Sequence, residues 1–118
     1  TKTKKNDVEI AVVNSDDILI TDIQSALDLM ATVNYETGCE RMVVNKSAIC
    51  EEFFDLKTRL AGEVLQKFVT YGTKLAIVGD FSGYSSKSLA AFIRESNNGK
   101  HIFFVSSMEQ AVEKLSSV

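Results

Sequence analysis

The chain has 118 residues, 45% hydrophobic and 25% charged, with a formal net charge of -3. That length supports one buried core without metals or disulfides, and the composition excludes disorder and fibrous repeats. A net negative chain is no general nucleic-acid surface, because non-specific affinity there comes from Lys and Arg neutralising phosphates.

No apolar run reaches the roughly 18 residues that a membrane helix needs, and no charged segment leads into an apolar one. The expectation is one cytoplasmic domain over residues 1–118 with no membrane partner. Residues 1–7, with Lys2, Lys4 and Lys5 among polar neighbours, read as a flexible solvated tail. Glu9 to Val13 and Ile18 to Ile20 are short β-type runs around the turn-rich Asn14-Ser15-Asp16-Asp17, which predicts an antiparallel hairpin. Thr21 or Asp22 then caps a helix whose apolar positions Ile23, Ala26, Leu27, Met30 and Ala31 recur at helical spacing and stop near Gly38.

Met42-Val43-Val44 is the next strand, and Ala48 to Phe54 reads as a loop with a short helical turn. A long helix follows on Leu60, Ala61, Val64, Leu65 and Phe68, stopped by Gly72. Leu75-Ala76-Ile77-Val78 is a continuous apolar run, as expected of a parallel strand covered by helices on both faces. Leu89, Phe92 and Ile93 mark a third helix, Ile102 to Val105 the last strand, and Ser107-Met108-Glu109-Gln110 a capping box opening the last helix. The order ββαβαβαβα predicts an α/β fold with a mixed five-stranded sheet, mostly parallel with one antiparallel strand, and about four helices.

The inventory for catalysis is poor. His101 is the only histidine and has no carboxylate or cysteine near it in sequence. Cys50 and Glu51 are adjacent, but no base or oxyanion motif accompanies them. Cys39 and Cys50 are too far apart for a C-x-x-C pair and too few for a disulfide scaffold, so they read as free thiols without metal. Gly79-Asp80-Phe81-Ser82-Gly83 is neither a dinucleotide fingerprint nor a Walker loop. Asp16 and Asp17, placed in a hairpin turn, argue against a phospho-receiver domain. No catalytic residue, metal site or cofactor is expected.

Polar residues remain where ligands bind in such sheets, beyond the carboxyl ends of the parallel strands. Lys46, Ser47, Asp80 and Ser82 are the candidates for holding a small anion, and serines at such places also serve as helix caps. The most individual stretch is Phe53-Phe54-Asp55-Leu56-Lys57-Thr58-Arg59. Either one Phe docks inward and Asp55 caps the long helix, or the segment is a mixed apolar and charged recognition surface.

From Met42-Val43-Val44 through the Asp55 loop, Gly72 to Val78 and Ile102 to Leu115, the chain resembles the STAS fold. That group includes bacterial anti-sigma-factor antagonists and the cytoplasmic domains of sulfate transporters. More narrowly, F-F-D-L-K-T, L-A-G-E-V-L-Q-K-F and K-L-A-I-V-G-D-F-S are similar to an uncharacterised bacterial domain family of unknown function. The antagonists carry a D-S-[ST]-G-[LI] motif whose serine is phosphorylated by the partner kinase. Here Asp55 matches, Leu56 and Lys57 stand where the serine and its neighbour would be, and Thr58 is the nearest hydroxyl.

The resemblance therefore implies a partner surface without that phosphorylation switch. The expected role is non-enzymatic interaction with another protein, or with a second copy as a homodimer, through Phe54, Asp55, Lys57, Thr58 and Arg59. Binding of a small anion or metabolite is the alternative, and an enzyme comes last.

Overall fold

A computed structural model describes residues 2–118. Its elements are β1 Lys2–Lys5, β2 Val8–Val13, α1 Ile23–Thr37, β3 Arg41–Asn45, α2 Leu60–Thr70, β4 Lys74–Val78, α3 Lys87–Asn97, β5 Ile102–Val105 and α4 Met108–Ser116. Three short 3-10 turns, Lys46–Ala48, Glu51–Phe54 and Leu56–Thr58, lie between β3 and α2. The five strands lie side by side in the order β1-β2-β3-β4-β5, with β1 antiparallel to β2 and the rest parallel.

Two expectations about the amino end are corrected. The segment taken as a tail over 1–7, of which Thr1 lies outside the described residues, forms β1 and half of the hairpin. Its turn is Asn6-Asp7, both with positive φ (53° and 64°), the pair of left-handed residues a two-residue hairpin turn needs. The strand looks like a tail because it is an edge strand whose lysines stay in water, where they deter pairing with another chain. Lys2 pairs with Glu9 at 3.5 Å, and Lys5 pairs with Glu113 of α4. In consequence Ile18 to Ile20 is no strand. Ile20 makes only an isolated bridge to Ile49, and residues 14–22 form the loop after β2.

The helices behave as their sequences predict. Asp22 caps α1 by accepting from the Ser25 N–H at 2.7 Å, and Gly38 closes it at φ 72°. Ser107 caps α4, although Gln110 accepts from the N–H and hydroxyl of Ser106 instead of the Ser107 N–H. No described helix is long and apolar enough to cross a membrane.

Strands that follow one another across a sheet through crossovers of one hand place all their helices on one face. Residues of α1, α2 and α3 accordingly share one core with Ala11, Met42, Val44, Leu75, Ile77 and Phe104. The opposite face, Ile10, Val43, Ala76, Phe103 and Val105, is covered by Ala111 and Leu115 of α4. This double cover is why β4 reads as an unbroken apolar run.

The outer edge of β5 is closed by a side chain. Leu75 and Gly79 donate to the C=O of His101 and Val105, so the intervening Phe104 presents its polar backbone to the open side. The Asn97 amide bonds both groups there, accepting from the Phe104 N–H at 2.7 Å and donating to its C=O at 3.1 Å. Asn97→Ala should cost about 1–3 kcal/mol in urea unfolding, the penalty of orphaned buried groups. It should also bring concentration-dependent association in analytical ultracentrifugation, because it reopens an edge.

Candidate functional site

The loops after β2, β3, β4 and β5 gather beyond the carboxyl ends of the parallel strands. The first three turn back into helices on one face, whereas the loop after β5 leads to α4 on the other. Connections therefore part between β4 and β5, and α/β sheets keep crevices where that happens. A recess of about 340 Å³ lies there, lined by Gly79, Asp80, Phe81, Phe104, Val105, Ser106 and Gln110. Asp16 and Asp17, read as hairpin-turn residues, sit exposed on this same side, so the ground on which a receiver-like site was set aside is corrected. Among the described residues no three His, Cys, Asp or Glu side chains gather as a metal site.

Neither alternative for the adjacent phenylalanines holds as framed. A 3-10 turn lets both point inward, leaving Phe53 1% and Phe54 4% exposed, edge to face at 5.0 Å. Phe54 goes on to stack against Tyr84 at 5.5 Å and meets Phe81 at 5.9 Å. It is thus a floor for the site and offers no surface of its own. Asp55, expected to cap the long helix, instead accepts from the Lys57 N–H at 3.2 Å and caps the turn Leu56–Thr58.

Thr58 is the hinge of the approach to α2. Its Oγ1 lies 2.8 and 2.9 Å from the C=O of Asp55 and Glu52, to which it donates, and it accepts from the Leu60 N–H at 3.2 Å. Arg59 then enters α2 in the left-handed region at φ 65°, without a side-chain cap. Lys57 and Arg59 are both exposed, and neither makes an ion pair among the described residues.

The anion candidates are brought close together, and each already has polar or aromatic neighbours within the protein. Lys46 Nζ lies 5.4 Å from the Phe54 ring centre, 5.0 Å from that of Tyr84 and 3.7 Å from Glu51. Tyr84 in turn donates to Glu51 at 3.0 Å. The Tyr84 oxygen, with Glu51 adding attraction, holds the Lys46 ammonium above the ordinary lysine value. Partial burial pushes the Tyr84 hydroxyl up as well. Ser82 gives both its hydroxyl and its N–H to Asp80, at 2.6 and 2.9 Å, which holds that carboxyl below the usual range; Lys46 adds a smaller pull. Ser47 takes a bond from Asn45, whose amide also ties Ser15 to the end of β3.

Glu51, Tyr84, Asn45 and Gly79 complete this arrangement, in parts that the sequence reading did not give them. Gly79 was in view as part of a failed phosphate loop, yet its role is steric: a Cβ there would stand 2.5 Å from the Lys46 Cβ. The lysine stem crosses the bare backbone. Elsewhere, His101 is exposed at the start of β5, and Cys39 and Cys50 are buried with burial raising the Cys50 thiol.

The family model described as Domain of unknown function (DUF4180) matches residues 5–115. The chain belongs to that family. Searches of curated proteins and of solved structures return no match. The DUF4180 match includes β2 to β5 and all three loops that carry the cluster.

A left-handed non-glycine residue costs about 1–2 kcal/mol, offset in part by the greater freedom that glycine has when unfolded. Arg59→Gly should therefore hold or raise stability, by up to about 1 kcal/mol, while Arg59→Val should lower it by more than that in thermal melts.

Proposed function

We propose that this domain is a non-enzymatic interaction module that meets another protein on the surface of Asp55, Lys57, Thr58 and Arg59. The observation that carries this is the state of its two cations. Lys57 and Arg59 are exposed and without ion pairs among the described residues, and they stand at the start of α2, where the helix dipole is already positive. Positive charge there is opposed by the helix dipole and offset only by Glu63 in the same first turn, so an acidic partner would be favoured, and arginines are common interface anchors.

A STAS-like relationship is part of the same proposal. It rests on the order of elements and on the place of this segment, after the second of the parallel strands and before α2. The phosphorylation switch does not come with it, since Leu56 and Lys57 stand where the serine and its neighbour would be. Binding of a small anion at Lys46 has less support, because that ammonium already faces Glu51 and two aromatic rings. Catalysis has less still, with Cys50 buried and His101 exposed at the opposite end of the sheet.

The double substitution Lys57→Glu and Arg59→Glu should change stability by no more than about 1 kcal/mol, as surface changes do, while abolishing partner capture. Quantitative capture from host lysate with parent and variant, each checked by thermal melting, measures this. A variant that melts like the parent and retains the same partners at the same yield would place the binding surface elsewhere.

A further inference from the structure

At the end of the domain away from the loop cluster, a recess of about 420 Å³ lies between α1 and the end of α2. Leu27, Met30, Ala31 and Asn34 fall on one stripe of α1, and Tyr71 faces them from the end of α2. The walls are apolar, while Asn34 and Glu40 put polar groups at the end nearest the carboxyl terminus of α1. An apolar body with a polar tip is the form of a tyrosine side chain. The same patch presents one: Tyr35, one turn after Ala31, is 91% exposed, more than any other large apolar side chain among the described residues.

A knob and a hole side by side on one patch suit a twofold pair, in which each copy gives a ring and takes one. Two α1 helices laid antiparallel, crossing midway between positions 31 and 35, set Tyr35 of each copy over Ala31 of the other. Side chains on a helix lean toward its amino end, which in an antiparallel pair is the direction of the other helix's carboxyl end. The Tyr35 hydroxyl is thereby carried toward Asn34 and Glu40, and the small Ala31 leaves room for the ring.

We propose that this face is the interface of a homodimer, in which Tyr35 of each copy fills the recess between α1 and α2 of the other. Charge favours a second copy as the occupant. The pairing turns Glu36, next to Tyr35, toward the other copy's α2, where the half-buried Lys67 stands one turn before Tyr71 and has no ion pair among the described residues. Area favours it too: two tyrosines from each copy, burying up to roughly 150–250 Å² apiece, bring the pair near the roughly 1,000 Å² that a specific interface needs. The dimer stands apart from the surface of Lys57 and Arg59, which lies at the other end of α2. It also leaves the β5 edge free, so association caused by Asn97→Ala adds larger species to it.

Sedimentation equilibrium of the purified chain over a range of concentrations tests this. The parent should associate to a dimer and no further. Tyr35→Ser removes the knob, Ala31→Trp plugs the hole, and each should weaken the dimer at least about tenfold, as loss of an aromatic anchor does. Both positions are exposed, so circular dichroism should show both variants folded. An equimolar mixture of the two restores one knob facing one open hole, and it should associate more tightly than either variant alone. A parent that stays monomeric at its highest soluble concentration overturns the proposal, as does a dimer that Tyr35→Ser leaves equally tight. A mixture no tighter than its components also overturns it, because the two positions then do not meet across the interface. If Ala31→Trp fails to fold, the parent and Tyr35→Ser decide alone.

Discussion

The structure depends on one constraint: parallel strands must be buried on both faces, yet three crossovers of one hand can cover only one. The last helix resolves this alone. Small side chains make it possible, since Ala76 on β4 and Ala111 on α4 belong to the same fully buried cluster and let the helix approach the sheet closely. Because α4 must cross to the other face, the loop after β5 leaves in the opposite direction from its neighbours. The crevice at the parting of β4 and β5 is therefore a by-product of covering the sheet.

The site is built on the same logic of support from below. The rim is polar, but its geometry is set by rings: Phe53 and Phe54 fix the 3-10 turns, and Phe54 carries Tyr84, which carries part of the next loop. Lys46 is bound into this by its charge and by the faces of two rings. A lysine so placed is a structural cation, in contrast to Lys57 and Arg59, whose charges no described group neutralises.

Much of the fold was legible because each long element carries its own periodicity and cap. Asp22, Gly38 and Ser107 do what their types predict, and the apolar run of β4 announced its double cover. The amino end was misread for a physical reason: an edge strand that keeps Lys2 and Lys4 in water has the composition of a tail, and only Asn6-Asp7 betrays the turn. Misplacing that hairpin moved Asp16 and Asp17 to the wrong end of the sheet. The phenylalanine pair was read as having at most one ring inward, as in a strand whose neighbours face opposite ways, whereas the 3-10 turn buries both. The Lys46 cluster was beyond reach, since Lys46, Glu51, Gly79 and Tyr84 come from two loops whose adjacency is a tertiary fact.

The spatial order of the strands equals their order in sequence, so each strand that leaves the ribosome can dock beside the one before it without waiting for a distant partner. One face of the sheet is closed progressively in this way by α1, α2 and α3. The other stays bare until the final helix arrives, with Ile10, Val43, Ala76, Phe103 and Val105 turned toward water. Synthesis of this domain thus ends with a sticky interval, in which a nearly complete sheet is vulnerable to misassembly and the last nine-residue helix is what makes it safe.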